Sequence, residues 1–277
     1  MDEKNLRAYF AELLGTFAVV FVSAGAVWAS RLGGLEPLSV SIALAAGLIY
    51  AGALVVTLPI SGGYLNPAMT LMLWVFKHLD GAKAVGLIFV QFLGAALAGF
   101  VLRLVFPLQE SAMIVSRLGA PHINLEVFNG MTVGTTLKGI GVELVLTFFL
   151  GFVLYGLVFD PRVVQWMGKT RSRLTALWLG LVVAAVTFVG FPLTGGAANP
   201  ARWFGPTLAE TTVEPLRLLN PFADHAVYWI GPVAGALIAG WLYTALILPP
   251  VEESIPQKAQ AGAVPAGASS TLFRAKR

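Results

Sequence analysis

No cysteine occurs in these 277 residues, which excludes disulfide frameworks, thiol nucleophiles and thiolate metal centres. Charge is scarce as well. Asp, Glu, Lys and Arg make up 12% of the chain, against roughly a quarter in an average soluble domain. A chain this poor in charge cannot clothe itself for water, so lipid must cover much of it. Histidine is also sparse: His78, His122 and His225 are too few and too scattered to suggest a metal site. No nucleophile–base pair and no cofactor motif stands out, so an enzyme is the least favoured class and no cofactor is expected. The net charge of +4 is not a nucleic-acid signal, because the basic residues gather in loops and tails, where the positive-inside rule places them in a membrane protein.

What the chain has in abundance is apolar length. Hydrophobic residues make up 57% of it, and its mean hydropathy is +0.79. A spanning helix needs about 20 mostly apolar residues. Six segments qualify, at about 9–29, 38–58, 83–106, 137–159, 174–191 and 226–248. Two further apolar stretches, about 67–77 and 200–209, are half that length and read as re-entrant half-helices. The expected fold is therefore an all-α membrane protein of six transmembrane helices plus two half-helices. The segment 1–248 reads as a single channel domain, and 249–277, rich in Ala, Gly, Pro and Ser, as a disordered cytoplasmic tail. The N-terminus reads as an uncleaved first helix and not as a signal peptide.

The two halves repeat, over about 7–106 and 137–248. Ala11-Glu12-Leu13-Leu14-Gly15-Thr16-Phe17 resembles Val142-Glu143-Leu144-Val145-Leu146-Thr147-Phe148. Asn66-Pro67-Ala68 follows Glu12 by 54 residues, and Asn199-Pro200-Ala201 follows Glu143 by 56. Three spans and one half-helix per copy invert the second copy, which puts the site near the bilayer midplane. Lys and Arg divide 12 to 6 between the two sides, so both termini are expected in the cytoplasm. The expected location is the plasma membrane, as a multi-pass protein.

Asn is a strong N-cap and Pro suits the first helical position, so one Asn-Pro-Ala could simply start a helix. Two copies, each after a glycine-bearing turn and each opening a helix too short to cross, point to a pore instead. Both half-helices aim the positive end of their dipoles at the midplane. The turns 60–65 and 193–198 can offer a track of carbonyls, and Asn66 and Asn199 can donate hydrogen bonds to a passing molecule. A neutral solute exchanges water for these contacts, whereas a cation meets two positive ends. Arg202, in the first turn of the second half-helix, presents five donors on a rigid plane. A charge so near the midplane is functional by default. Glu12 and Glu143 read as acceptors for backbone N–H groups of the re-entrant turns, with a proton relay as the weaker alternative.

On Ser61-Gly62-Gly63-Tyr64-Leu65-Asn66-Pro67-Ala68-Met69-Thr70, Asn199-Pro200-Ala201-Arg202-Trp203-Phe204-Gly205-Pro206 and Gln91-Phe92-Leu93-Gly94-Ala95, the chain resembles the aquaporin (major intrinsic protein) family over about residues 5–248. The resemblance implies a homotetramer with one pore per subunit and passive flow. It also implies a narrow filter at four positions, here Ala46, Thr187, Gly196 and Arg202. Water-selective members place an aromatic at the first of these and a histidine at the second. Glycerol channels resemble one another in an Asp where this chain has Trp203, and tend to a basic residue at the Thr207 position. Neither pattern fits. The small-residue set is similar to that of the metalloid-permeable, nodulin-like branch. The implied cargo is therefore small uncharged solutes such as boric, arsenous or silicic acid, with glycerol, urea and water also considered. Rival readings are a water-selective aquaporin narrowed by Phe191 or Trp203, an ion-coupled transporter, and a junctional protein using the loop 107–136.

Overall fold

The computed structural model describes residues 3–32, 39–107 and 114–249; the expected tail, beyond its first residue, lies outside them. With no water to satisfy backbone groups in a bilayer core, helices are the natural way for such a chain to cross. Among the described residues, six helices are long and apolar enough to do so. We label the main helices α1 (Glu3–Leu32), α2 (Ser39–Thr57), the half-helix α3 (Pro67–Val75), α4 (Gly81–Val105), α5 (Val133–Phe159), α6 (Arg171–Thr194), the half-helix α7 (Pro200–Glu210) and α8 (His225–Leu242). A two-turn helix, Pro161–Met167, leads into α6, and a π-helical turn, Tyr243–Ile247, extends α8. Several outward-facing apolar side chains are almost bare, including Leu104 at 78% and Val133 at 80% exposed. Such exposure suits a lipid-facing surface and not an aqueous one.

Local sequence sets the helix ends. Asp80 caps α4, its Oδ1 accepting from the N–H groups of Ala82 and Lys83 at 3.0 and 3.2 Å. Thr132 caps α5 by accepting from Thr135 N–H at 3.0 Å. Gly195 closes α6 in the left-handed conformation, which only glycine adopts without a Cβ penalty. The first helix starts at Glu3, six residues before its apolar run, because Arg7 and Glu3 pair one turn apart on its polar extension.

The halves superimpose in their packing. The main pairs are α1 with α4, α2 with α6, and α5 with α8. A Cβ on Gly94 would lie 2.3 Å from Leu13 O, and one on Gly235 would lie 2.2 Å from Leu144 O. Leu13 and Leu144 follow the two repeat glutamates, so α1–α4 and α5–α8 make the same contact. Small residues let these backbones touch, which is how helices hold together where lipid removes the hydrophobic drive. The half-helix α7 packs on α4, α3 packs on α8 and α4, and the two half-helices meet at their N-termini.

Candidate pore and filter

Each half-helix begins in the same way. Asn66 and Asn199 have φ/ψ of −155/116° and −159/115°, and their Oδ1 atoms accept from the N–H groups of Ala68 and Ala201, both at 2.9 Å. Pro67 and Pro200 occupy the first helical position, where no N–H is needed. Each Asn amide then reaches across the interface between repeats. Asn66 Nδ2 donates to Ala198 O, and Asn199 Nδ2 donates to Leu65 O, both at 2.9 Å. An amide nitrogen carries two hydrogens, so one N–H on each side is committed to this cross-tie and the other remains for a visitor.

The acceptors of these cross-ties are themselves held under strain. Leu65 and Ala198 have φ of 51° and 45°, a conformation that costs a side-chain-bearing residue about 1–2 kcal/mol. Two fully buried carboxylates hold them there. Glu12 accepts from Ser61 Oγ at 2.6 Å, Tyr64 N at 2.9 Å, Leu65 N at 2.7 Å and Gln91 Nε2 at 2.9 Å. Glu143 accepts from Thr194 Oγ1 at 2.6 Å, Ala197 N at 3.0 Å and Ala198 N at 2.7 Å. These bonds turn the backbone of each turn so that its N–H groups face the glutamate. Gln91, which also donates to Thr70 Oγ1 at 2.9 Å, completes the first set. Its structural counterpart, three residues before Gly235, is Pro232, which cannot donate.

Ala46, Thr187, Gly196 and Arg202 line one cavity together with Asn66 and Asn199. The cavity measures about 30 Å³, room for roughly two waters at 10–15 Å³ each. A larger chamber lies on either side. One of about 330 Å³ is bounded by Tyr64, His78 and Arg171, and one of about 500 Å³ by Arg31, His122 and Phe191. The cavity at the asparagines is thus a narrow waist, with the two larger chambers as candidate mouths. Arg202 is 8% exposed and donates from Nη1 to Gly119 O at 2.9 Å, leaving further N–H groups for the cavity. Trp203 is fully buried. It stacks on Tyr228 at a 5.3 Å centroid distance and abuts Phe222 and Trp229 edge-on, so an aromatic cluster holds it and not the cavity wall. Phe191 borders the outer chamber and not the waist. Thr207 is buried and bonds to Trp203 O within its own helix at 2.7 Å.

The loop before α5 contributes more than length. Arg117 pairs with Glu210 at 2.8 Å, and His122 lies between Glu210 at 3.1 Å and Asp224 at 3.0 Å. Asp224 also accepts from Ile123 N–H at 3.0 Å. Burial alone would disfavour the His122 imidazolium, but the two carboxylates outweigh it and raise its pKa above the ordinary value. Burial likewise works against the Asp224 carboxylate, yet the His122 hydrogen bond and charge carry its pKa below the usual range. At the other mouth His78 stacks on Phe159, with its Nε2 2.7 Å from Tyr155 Oη. Burial lowers its pKa below the ordinary histidine value and so favours the neutral ring.

Sequence reasoning gave no role to Tyr50, Gly119, His122, Glu210 or Asp224. Tyr50 lines the waist and stands four residues after Ala46, a helical spacing that could have found it. The other four act across the fold, and nothing local joins them.

The major intrinsic protein family model matches residues 1–243. The chain is 36% identical to aquaporin TIP4-4 of Zea mays over 252 residues, covering 89% of each chain. It is 34% identical to aquaporin-5 of Rattus norvegicus over 245 residues, covering 88% of this chain and 82% of the other. The crystal structure of the aquaglyceroporin from Plasmodium falciparum has the same fold, with a TM-score of 0.74 at 22% identity, covering 88% of this chain and 97% of that one.

Proposed function

The chain belongs to the major intrinsic protein family of membrane channels, and from that premise we propose a passive conduit for water and small uncharged solutes whose filter also admits hydroxylated acids of the boric, arsenous and silicic type, glycerol and urea. One observation carries the reading. Of the four filter positions sharing the cavity with Asn66 and Asn199, two are Ala46 and Gly196 and one is Thr187, so only Arg202 brings bulk. Thr187 supplies a hydroxyl, Arg202 supplies donors, and the asparagines supply the remaining N–H groups. A neutral polyhydroxylated solute can exchange its water for these. A cation cannot, because Arg202 and the positive ends of α3 and α7 oppose it. The reading includes a homotetramer with one conduit per subunit, and a plasma-membrane orientation with cytoplasmic termini supported by the Lys/Arg asymmetry.

A second reading, a mainly water-selective channel, draws support from the 30 Å³ waist. Stopped-flow permeability of proteoliposomes separates the two. Entry of boric acid, arsenous acid and glycerol above protein-free vesicles is the expected result. Entry of water alone would remove the first reading and leave the second.

A further inference from the structure

The filter residues are small, yet the cavity they share is not large. Something else fills it. Ile42, Ala46 and Tyr50 lie four residues apart on α2 and all line that cavity, as residues on one helical face should. On α6, Thr187 and Val183 do the same. α2 runs toward the cytoplasmic side, where it enters the turn before Asn66, and α6 runs away from that same side. Tyr50 and Val183 therefore both stand one turn, about 5.4 Å, to the cytoplasmic side of the filter ring. The walls are close at this level. A Cβ on Gly47 would lie 2.5 Å from Gly180 O, and one on Gly180 would lie 2.6 Å from both Gly47 O and Ala51 Cβ. The backbones of α2 and α6 thus touch beside Tyr50 and Val183, and neither wall can retreat.

We propose that Tyr50 sets the size limit of the conduit: the volume missing at Ala46 is restored one turn deeper by the Tyr50 ring. This rests on the channel reading above and deepens it. The ring is 2% exposed, and its hydroxyl donates a long hydrogen bond, 3.4 Å, to Tyr64 O. That carbonyl belongs to the turn before Asn66, the acceptor track of the inner half. Tyr50 therefore acts twice: its ring narrows the lumen, and its hydroxyl occupies an acceptor that a polyol would otherwise use. Selectivity is consequently divided, with chemistry read at Thr187 and Arg202 and girth read at Tyr50.

The test compares wild type, Tyr50→Val, Tyr50→Phe and Tyr50→Trp in proteoliposomes, reading water, urea and glycerol permeability by stopped-flow light scattering. Tyr50→Val is expected to raise the glycerol-to-water permeability ratio by about tenfold, the low end of what a missing side-chain group changes in a fitted pocket. Tyr50→Phe should raise the ratio far less than Tyr50→Val, because the ring remains and only the Tyr64 carbonyl is freed. Tyr50→Trp should lower glycerol and urea more than water. A merely packed Tyr50 would give a Val variant with the wild-type ratio and only reduced stability, and that result overturns the proposal. The Trp variant decides the matter if the Val variant does not fold: an unchanged ratio there overturns it equally. Wild type no faster than empty vesicles for every solute would overturn the channel reading and this proposal together. Wild-type water flow with an unmoved ratio in the variants overturns only the role of Tyr50.

Discussion

Arg202 Nη1 and Gly119 O are 2.9 Å apart, which ties the filter arginine to a loop ahead of the second repeat. Arg117, Leu118 and Gly119 reach that point through three successive positive φ angles of 49°, 53° and 77°. A Cβ on Gly119 would lie 2.1 Å from Ala24 O, so the loop is wedged against α1 with no room to spare. Gly119→Ala should therefore push the carbonyl off Arg202 and destabilise the fold by about 1–3 kcal/mol of backbone strain. Thermal unfolding in detergent measures the second effect, and the permeability of the refolded variant measures the first. A variant with wild-type stability and wild-type solute ratios would contradict the wedge.

The same loop should respond to pH. The raised pKa of His122 means that its pairing with Glu210 and Asp224 is complete below the ordinary histidine value and is lost as pH rises through the elevated one. The lowered pKa of Asp224 means that its contribution is present above the ordinary aspartate value and is lost as pH falls through the depressed one. The window of full clasping therefore runs from about pH 4 to about pH 6.5, and above it the clasp weakens as pH rises through the elevated His122 value. The protection of residues 114–124 against hydrogen exchange, taken relative to the intrinsic rate at each pH, should be greatest inside that window and fall above it. His122→Asn should flatten the alkaline limb.

The buried glutamates predict an asymmetry. Glu143→Ala would strand the hydroxyl of Thr194 and the N–H groups of Ala197 and Ala198, at about 1–3 kcal/mol for each orphaned group. Glu12→Ala would take the carboxylate from four donors, including Gln91 Nε2, with Ser61 Oγ keeping another acceptor, Thr57 O at 3.1 Å. Both variants should lose water conduction, and the Glu12 variant should be the less stable in detergent melting. Equal stability would mean that Gln91 adds nothing to the first turn.

The filter can be narrowed directly. Ala46→Phe combined with Thr187→His restores bulk at two of the four positions lining the cavity. Water permeability should be retained while glycerol and boric acid entry fall toward the protein-free rate. Unchanged permeability across the panel would show that these positions do not form the filter.

The spans, half-helices and repeat were legible because each rests on local composition or a short string: apolar length, a Pro after an Asn, a Glu at the same offset in both halves. Boundaries slipped where polar residues continue a helix past its apolar run, as at Glu3 and at Arg171. The cross-ties were not legible, since Asn66 finds its partner 132 residues away and Asn199 finds its own at a distance of 134. The same holds for the segment 107–136, which reads in sequence as a loop long enough to touch another protein. Its described part turns inward because Glu210 and Asp224, about 90 and 100 positions on from it, recruit it. No periodicity connects a loop arginine and histidine to carboxylates at the ends of two later helices.

The reciprocal bonds between Asn66 and Ala198 O, and between Asn199 and Leu65 O, also bear on biogenesis. During synthesis α1 to α4 enter the membrane before the second Asn has been made. At that stage the amide of Asn66 has no carbonyl to grip, and Leu65 is held in its strained form by Glu12 alone. The first half can insert, but it cannot complete its own constriction. Only the arrival of α7 supplies both missing partners in one step. Insertion of the first half and completion of the constriction are therefore separate steps in the order of synthesis.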